Sequence, residues 1–141
     1  MKYKLLAILA LGFLTVAGAA VAGKGGPIIT GVWAGTGQAM YVNGTSADIV
    51  SVYAELIQEG KFFSGFAVFE VTVGGTQEAQ MSGHISGNSI KGIMGFCPGA
   101  APECFGAAIL EGKLSGNKLT GTVVDFSDGS TSVITLHRLT D

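Results

Sequence analysis

Charge, histidine and helical periodicity are all scarce in this chain of 141 residues. Only 13% of the residues are charged, and the formal net charge is −2 at pH 7. A protein that binds nucleic acid through its phosphates needs a basic surface, so this composition argues against nucleic acid as a partner. No segment repeats its apolar residues with the 3.6-residue period of a helix, which leaves extended strands as the expected secondary structure.

Motifs that mark common active sites and metal sites are also absent. The sequence contains no Gly-x-Ser-x-Gly, no His-Glu-x-x-His and no phosphate-binding loop. Its two histidines, His84 and His137, lie far from both cysteines. We therefore expect no metal, no cofactor and no enzymatic activity. Isomerase or cyclase chemistry without a cofactor remains the alternative, because some barrel enzymes carry no signature motif.

The first 22 residues have the layout of a secretory signal peptide. Lys2 and Lys4 form its positive start, residues 5–17 its apolar stretch, and residues 20–22 (Ala-Val-Ala) a signal peptidase site. No positive cluster follows the apolar stretch, which favours cleavage over a membrane anchor. We predict a secreted or periplasmic protein that begins at Gly23 and keeps no membrane span after cleavage.

The remaining chain has room for one domain. We place a short N-terminal linker at residues 23–29 and a single domain at residues 30–141. Cys97 and Cys104 enclose a short segment rich in proline, glycine and alanine. In an exported protein such a pair is expected to form a disulfide bond. Zinc is the alternative, although no further ligand lies close by in the sequence.

Glycine is abundant, at 23 residues, and with asparagine it marks turns at nearly even spacing. Both residues accept the positive φ that two-residue hairpin turns require. Seven turn signals separate eight segments rich in β-branched and aromatic residues; the signals lie at 43–44, 59–60, 74–76, 87–88, 97–104, 116–117 and 128–129. Eight antiparallel strands with one apolar face close most economically into a barrel. We predict an all-β, eight-stranded antiparallel up-and-down β-barrel.

Pairing residues across each predicted turn gives every hairpin one apolar face, which is expected to point inward. The pairs that set the register are Trp33 with Ala54, Leu56 with Phe63, Met81 with Met94, Leu114 with Leu119, and Val123 with Ile134. At residues 74–76 we predict a three-residue loop with a bulge, which pairs Phe69 with Met81. The outer face carries charged residues such as Lys91 and Glu111, which does not suit a membrane barrel.

This arrangement places Trp33, near the start of the first strand, beside Arg138 at the end of the last strand. Gly31-Val32-Trp33 and Arg138 resemble the signature of the calycin superfamily, which includes the avidins and the lipocalins. The resemblance implies that Trp33 and Arg138 close one end of the barrel.

The opposite end of the barrel is the predicted binding site for a small, partly apolar ligand. Aromatic residues and methionines with a few polar groups suit such a ligand, and the inward positions there are Tyr41, Asp48, Phe69, Met81, Met94, Phe96, Asp125 and Ser132. Inward glycines such as Gly65 and Gly83 either open space or let bulky neighbours and coiled strands fit. The alternative is a protein-binding module with a filled core, similar to some secreted protease inhibitors. Asp48 and Asp125 are either buried ligand-binding groups or solvated residues near turns.

An apolar patch is predicted on the outside of the second and third strands. It consists of Tyr53, Ile57, Phe62, Phe66 and Val68, with Ile49 on the same face. Monomers rarely expose contiguous apolar patches larger than roughly 300–600 Å². We therefore expect a homo-oligomer, with a two-fold dimer as the simplest case, or a partner protein bound at this face.

Overall fold

A closed barrel of eight antiparallel β-strands is formed by residues 28–96 and 105–139, the part of the chain that the computed structural model describes. The strands are β1 (Gly31–Met40), β2 (Ser46–Glu59), β3 (Phe62–Val71), β4 (Gly75–Ser86), β5 (Ser89–Phe96), β6 (Phe105–Ser115), β7 (Lys118–Asp125) and β8 (Thr131–Arg138). Each strand pairs with its neighbours in sequence, and β8 pairs with β1 to close the sheet. The predicted fold class is confirmed.

Two groups of predictions lie outside the described residues. They are the signal peptide with most of the linker, and the Cys97–Cys104 disulfide bond. Within the described ranges, no helix is long and apolar enough to span a membrane.

The interior of the barrel is filled by apolar side chains. Trp33, Ile29, Ile90 and Val52 are its largest fully buried residues. The cavity among the core side chains measures about 20 Å³ and is lined only by apolar residues and Gly121. Such a volume is close to the minimum for one water molecule, and an apolar cavity of this kind stays dry. The core therefore has no room for a ligand.

Three hairpins have the predicted register. Trp33 pairs with Ala54, Met81 with Met94, and Leu114 with Leu119. The β4–β5 and β6–β7 hairpins have two-residue turns at residues 87–88 and 116–117, where Gly87 and Gly116 supply the positive φ. Glycine-asparagine dipeptides therefore located these turns correctly.

Three other hairpins have a different register from the predicted one. Leu56 pairs with Gly65 rather than Phe63, because the turn is at residues 60–61. Val123 pairs with Ser132 rather than Ile134, because residues 126–129 form a four-residue loop. Between β3 and β4 the loop has three residues as predicted, but it lies at 72–74 and pairs Phe69 with Gln77. Each shift is an even number of residues, so every side chain keeps its predicted face.

One bulge, on β2, does change which face its residues occupy. The register of β2 shifts by one residue against both of its neighbours, between Ile49 and Val52 opposite β1 and between Ile49 and Ser51 opposite β3, whereas β1 keeps an unbroken register with β8. A bulge adds one residue to one strand and so reverses the alternation beyond it. The prediction that Asp48 points inward is therefore wrong: Asp48 is exposed. Ile49, expected on the outer face, is buried in the core.

Inward glycines allow neighbouring strands to approach closely, and they do not enclose ligand space. A Cβ atom on Gly65 would overlap the carbonyl oxygen of Glu55, and one on Gly83 would overlap that of Lys91. Strands in a small closed barrel must coil strongly, which glycine permits. Of the two predicted roles for these glycines, the structure supports close packing.

Candidate functional site

One end of the barrel is sealed around Trp33. This side chain is fully buried, and its Nε1 donates a hydrogen bond to the carbonyl oxygen of Ile29 at 2.8 Å. The guanidinium of Arg138 lies over the indole, 4.4 Å from its centroid, and donates to the carbonyl oxygens of Thr30 and Ile28. Burial lowers the pKa of Arg138 from its ordinary value. The segment before β1 is thus fixed across this end, and the predicted contact between Trp33 and Arg138 is present.

The opposite end contains a recess, which we call the mouth recess. Its cavity volume is about 60 Å³, and it is lined by Ala39, Tyr41, Ile49, Phe69, Val71, Gln77, Phe96, Val123, Asp125, Asp128, Ser130 and Ser132. Five of the eight residues predicted for the ligand site are in this lining: Tyr41, Phe69, Phe96, Asp125 and Ser132. Residues from seven strands and two loops therefore meet at a small opening with both aromatic and polar walls.

The other three predicted ligand-site residues lie elsewhere. Met81 and Met94 are buried in the core, where they line the small apolar cavity below the recess. Asp48 points outward, and its Oδ1 accepts a hydrogen bond of 3.5 Å from Nε2 of Gln38. Core packing explains the two methionines, and the β2 bulge explains Asp48.

Two carboxylates at the rim are positioned by the loop between β7 and β8. Oδ1 of Asp125 accepts hydrogen bonds from the amide (2.8 Å) and the hydroxyl (2.6 Å) of Ser127. Oδ1 of Asp128 accepts one from the amide of Ser130 at 2.8 Å. Gly129, with φ of 70°, completes the turn. Aspartate favours such turns because its short side chain can bond the backbone two residues ahead.

Ser130 is the one polar residue of the described barrel that is buried, with 7% of its surface exposed. Its amide is bonded to Asp128, and the residue belongs to the recess lining. Its hydroxyl makes no hydrogen bond to the described residues, and since no buried side-chain polar atom among them lacks a partner, this hydroxyl is open to solvent. Sequence reasoning misses both Asp128 and Ser130, because the dipeptide Asp128-Gly129 predicts a two-residue turn. The Asp-x-Ser spacing, typical of an aspartate turn, was the signal that could have identified them.

Charged residues are segregated between the two halves of the barrel. Among the described residues, the half near the mouth recess carries five carboxylates: Asp48, Glu70, Glu78, Asp125 and Asp128. No described lysine, arginine or histidine lies in this half. The half near Trp33 holds the basic residues of the described barrel, among them the Lys91–Glu111 ion pair at 3.1 Å. The recess therefore lies at the negative end of the molecule.

The predicted outer patch lies on β2 and β3. Tyr53, Ile57, Phe62 and Phe66 are exposed, Phe62 to 70%, and Val68 is half-buried. Tyr53 donates a hydrogen bond of 2.8 Å to Oε1 of Glu55, which raises the pKa of the tyrosine from its ordinary value. The patch is thus apolar with a carboxylate at its centre.

Comparisons with known proteins support the fold alone. No family model matches the sequence, and no curated protein matches it. Among solved structures, the barrel is similar to the crystal structure of Rv2717c from M. tuberculosis, with a TM-score of 0.51 and 15% sequence identity. The match covers 79% of this chain and 93% of that chain. Function must therefore be argued from the residues of this barrel.

Proposed function

We propose that this protein is an exported barrel that binds a small, partly apolar ligand in the mouth recess and does not act as an enzyme. The observation that supports this proposal is the recess itself, where aromatic and polar side chains converge. The other end of the barrel is sealed by Trp33 and Arg138, and the core is filled. Binding sites commonly combine apolar walls with a few polar groups in this way.

The recess accepts only part of a ligand. Its volume of about 60 Å³ is small beside the roughly 300–1,000 Å³ of pockets for drug-sized molecules. The rest of the ligand would lie on the rim, where Val42, Val73 and Phe126 are exposed. A polar head group with a short apolar tail fits both surfaces.

A calycin-type relationship is the finer proposal for the fold. The stacking of Arg138 on a buried Trp33 supports it, since the calycin resemblance implies that such a pair closes one barrel end. The proposal for export rests on the signal-peptide pattern of residues 1–22.

A fragment screen followed by ¹H–¹⁵N NMR tests the ligand-binding function. Fragments that bind are expected to shift the backbone amides of Tyr41, Asp125 and Ser132 and to leave the Trp33 indole resonance unchanged. Ser132→Leu fills the recess and is expected to abolish these shifts. Val133→Leu, next in the chain and on the outer face, is the matched control. The proposal would be contradicted by fragments that bind only outside the recess, or by fragments that bind equally well to Ser132→Leu and Val133→Leu.

Protein binding through the outer patch is the second candidate function. The exposure of Phe62, Phe66 and Tyr53 on one face supports it, and a second copy of the chain is the proposed occupant. A two-fold interface is self-complementary, so one apolar patch suffices to form a dimer.

A further inference from the structure

We propose that the group bound in the mouth recess is an organic cation: an ammonium carried by a small, partly apolar molecule. The inference rests on the proposed ligand-binding function and adds the chemical class of the ligand. It is carried by the charge around the recess, by a hydroxyl inside it that makes no hydrogen bond to the described residues, and by its aromatic walls.

The charge around the recess favours a positive ligand. Asp125 and Asp128 line the recess, and the other carboxylates of this half of the barrel reinforce their field. Among the described residues, no basic side chain lies in this half to neutralise them. A cleft lined by one sign of charge concentrates ligands of the opposite sign and disfavours anions.

The recess offers hydrogen-bond acceptors that no described residue uses, beside the hydroxyls of its serines and tyrosine and the amide of Gln77, which can also donate. Asp125 and Asp128 each use Oδ1 within their own loop, and the second oxygen of each has no partner among the described residues. The hydroxyl of Ser130 also makes no hydrogen bond to the described residues and is open to solvent, although the residue as a whole is only 7% exposed. An ammonium group has three donors and no acceptor, which complements the free carboxylate oxygens and the oxygen of a hydroxyl that accepts.

The remaining walls distinguish an organic cation from a metal ion. Tyr41, Phe69 and Phe96 contribute aromatic surface to the recess. Aromatic rings attract organic cations, whereas Ca²⁺ requires about six to eight oxygen ligands. The volume of about 60 Å³ is well below the roughly 150 Å³ of a cavity that holds benzene, so the recess suits an ammonium head rather than a ring.

Three organic probes of similar size and one metal salt separate these possibilities in an NMR titration of the full exported chain. They are butylammonium, 1-butanol, butyrate and calcium chloride. We expect butylammonium to shift the amides of Asp125, Asp128 and Ser130 in a saturable manner. We expect butanol, butyrate and Ca²⁺ to leave these amides unchanged, and the Trp33 indole resonance to stay fixed with all four probes.

Two charge-neutralising variants distinguish direct contact from a diffuse field. Asp125→Asn keeps the Oδ1 acceptor that holds Ser127 and removes the charge in the recess. We expect it to weaken butylammonium binding by about fivefold or more. Asp48→Asn removes the same charge from an outward position in the same half and is expected to change the affinity less than about twofold. Unchanged amide shifts away from the loop establish that both variants are folded.

Each other result would overturn the inference. If butanol binds as tightly as butylammonium, the recess binds ligands without regard to charge, and the ligand-binding function survives without the cation. If Ca²⁺ shifts the amides and butylammonium does not, the recess is a metal site. If Asp125→Asn and Asp48→Asn lower the affinity for butylammonium equally, the attraction is a diffuse effect of the negative charge and not direct contact in a site. If no probe binds, the cation is excluded, and the fragment screen decides on the function separately.

Discussion

Arg138 stacks on the indole of Trp33 at 4.4 Å and, through the carbonyl groups of Ile28 and Thr30, ties the segment before β1 to the end of β8. The two residues are also partners across the β1–β8 seam that closes the barrel. One side chain thus caps the core, joins the first and last strands, and satisfies two carbonyl oxygens.

Replacing Arg138 should destabilise the barrel. We expect Arg138→Gln to lower the free energy of unfolding by about 1–3 kcal/mol, because it removes the contact with Trp33 and leaves two carbonyl groups without donors. Urea denaturation measures the change. Lys118→Gln, an exposed substitution at the same end, is the control and should cost less than about 0.5 kcal/mol. Equal stability of the two variants would contradict the capping role of Arg138.

Close strand packing makes Gly83 intolerant of a side chain. We expect Gly83→Ala to cost more than about 2 kcal/mol, because the new Cβ would overlap the carbonyl oxygen of Lys91 and strands must shift. At Gly121 the nearest atom to a Cβ would be 3.3 Å away, so Gly121→Ala should cost clearly less. Thermal unfolding of both variants tests this order. The reverse order would mean that the barrel can relax around Gly83.

The outer patch is expected to mediate self-association. Light scattering on the mature protein at micromolar concentration should give the mass of a dimer, and Phe66→Asp should give that of a monomer, because the interface would then bury an unpaired charge. Val133→Asp places the same charge on an exposed site on β8 and should leave the dimer intact. A monomeric wild-type protein would indicate that a different protein binds the patch.

Export predicts a defined covalent form. The intact mass of exported protein should correspond to a chain that begins at Gly23 and is two hydrogens lighter than the dithiol. Phe96 and Phe105, which precede and follow the segment 97–104, are partners in the sheet, so the residues that flank this segment lie side by side. Such a small loop should contribute at most about 2–3 kcal/mol, measurable as the stability lost on reduction. An uncleaved chain with two free thiols would refute both export and the disulfide.

Much of the candidate site could be predicted from the sequence, because side chains alternate along a strand. Tyr41, Phe69 and Phe96 reach the recess as expected, since the errors in register at 60–61, 72–74 and 126–129 were even numbers of residues. Asp48 does not reach the site, because a single extra residue in β2 turns its side chain outward. The position of a bulge depends on where the sheet must bend to close, and no local pattern around Asp48 reveals it.

The sequence by itself determined the eight strands, the closed antiparallel order and the pairing of Trp33 with Ala54 and Arg138, because turn residues and alternation are local properties. Only the tertiary structure decided that the interior is filled and that Met81 and Met94 belong to the core, because packing depends on the summed volume of side chains from all strands. The charged residues are visible in the sequence as scattered positions. They become a negative end around Asp125 and Asp128 only when the barrel closes and brings the loops of alternate hairpins to one side.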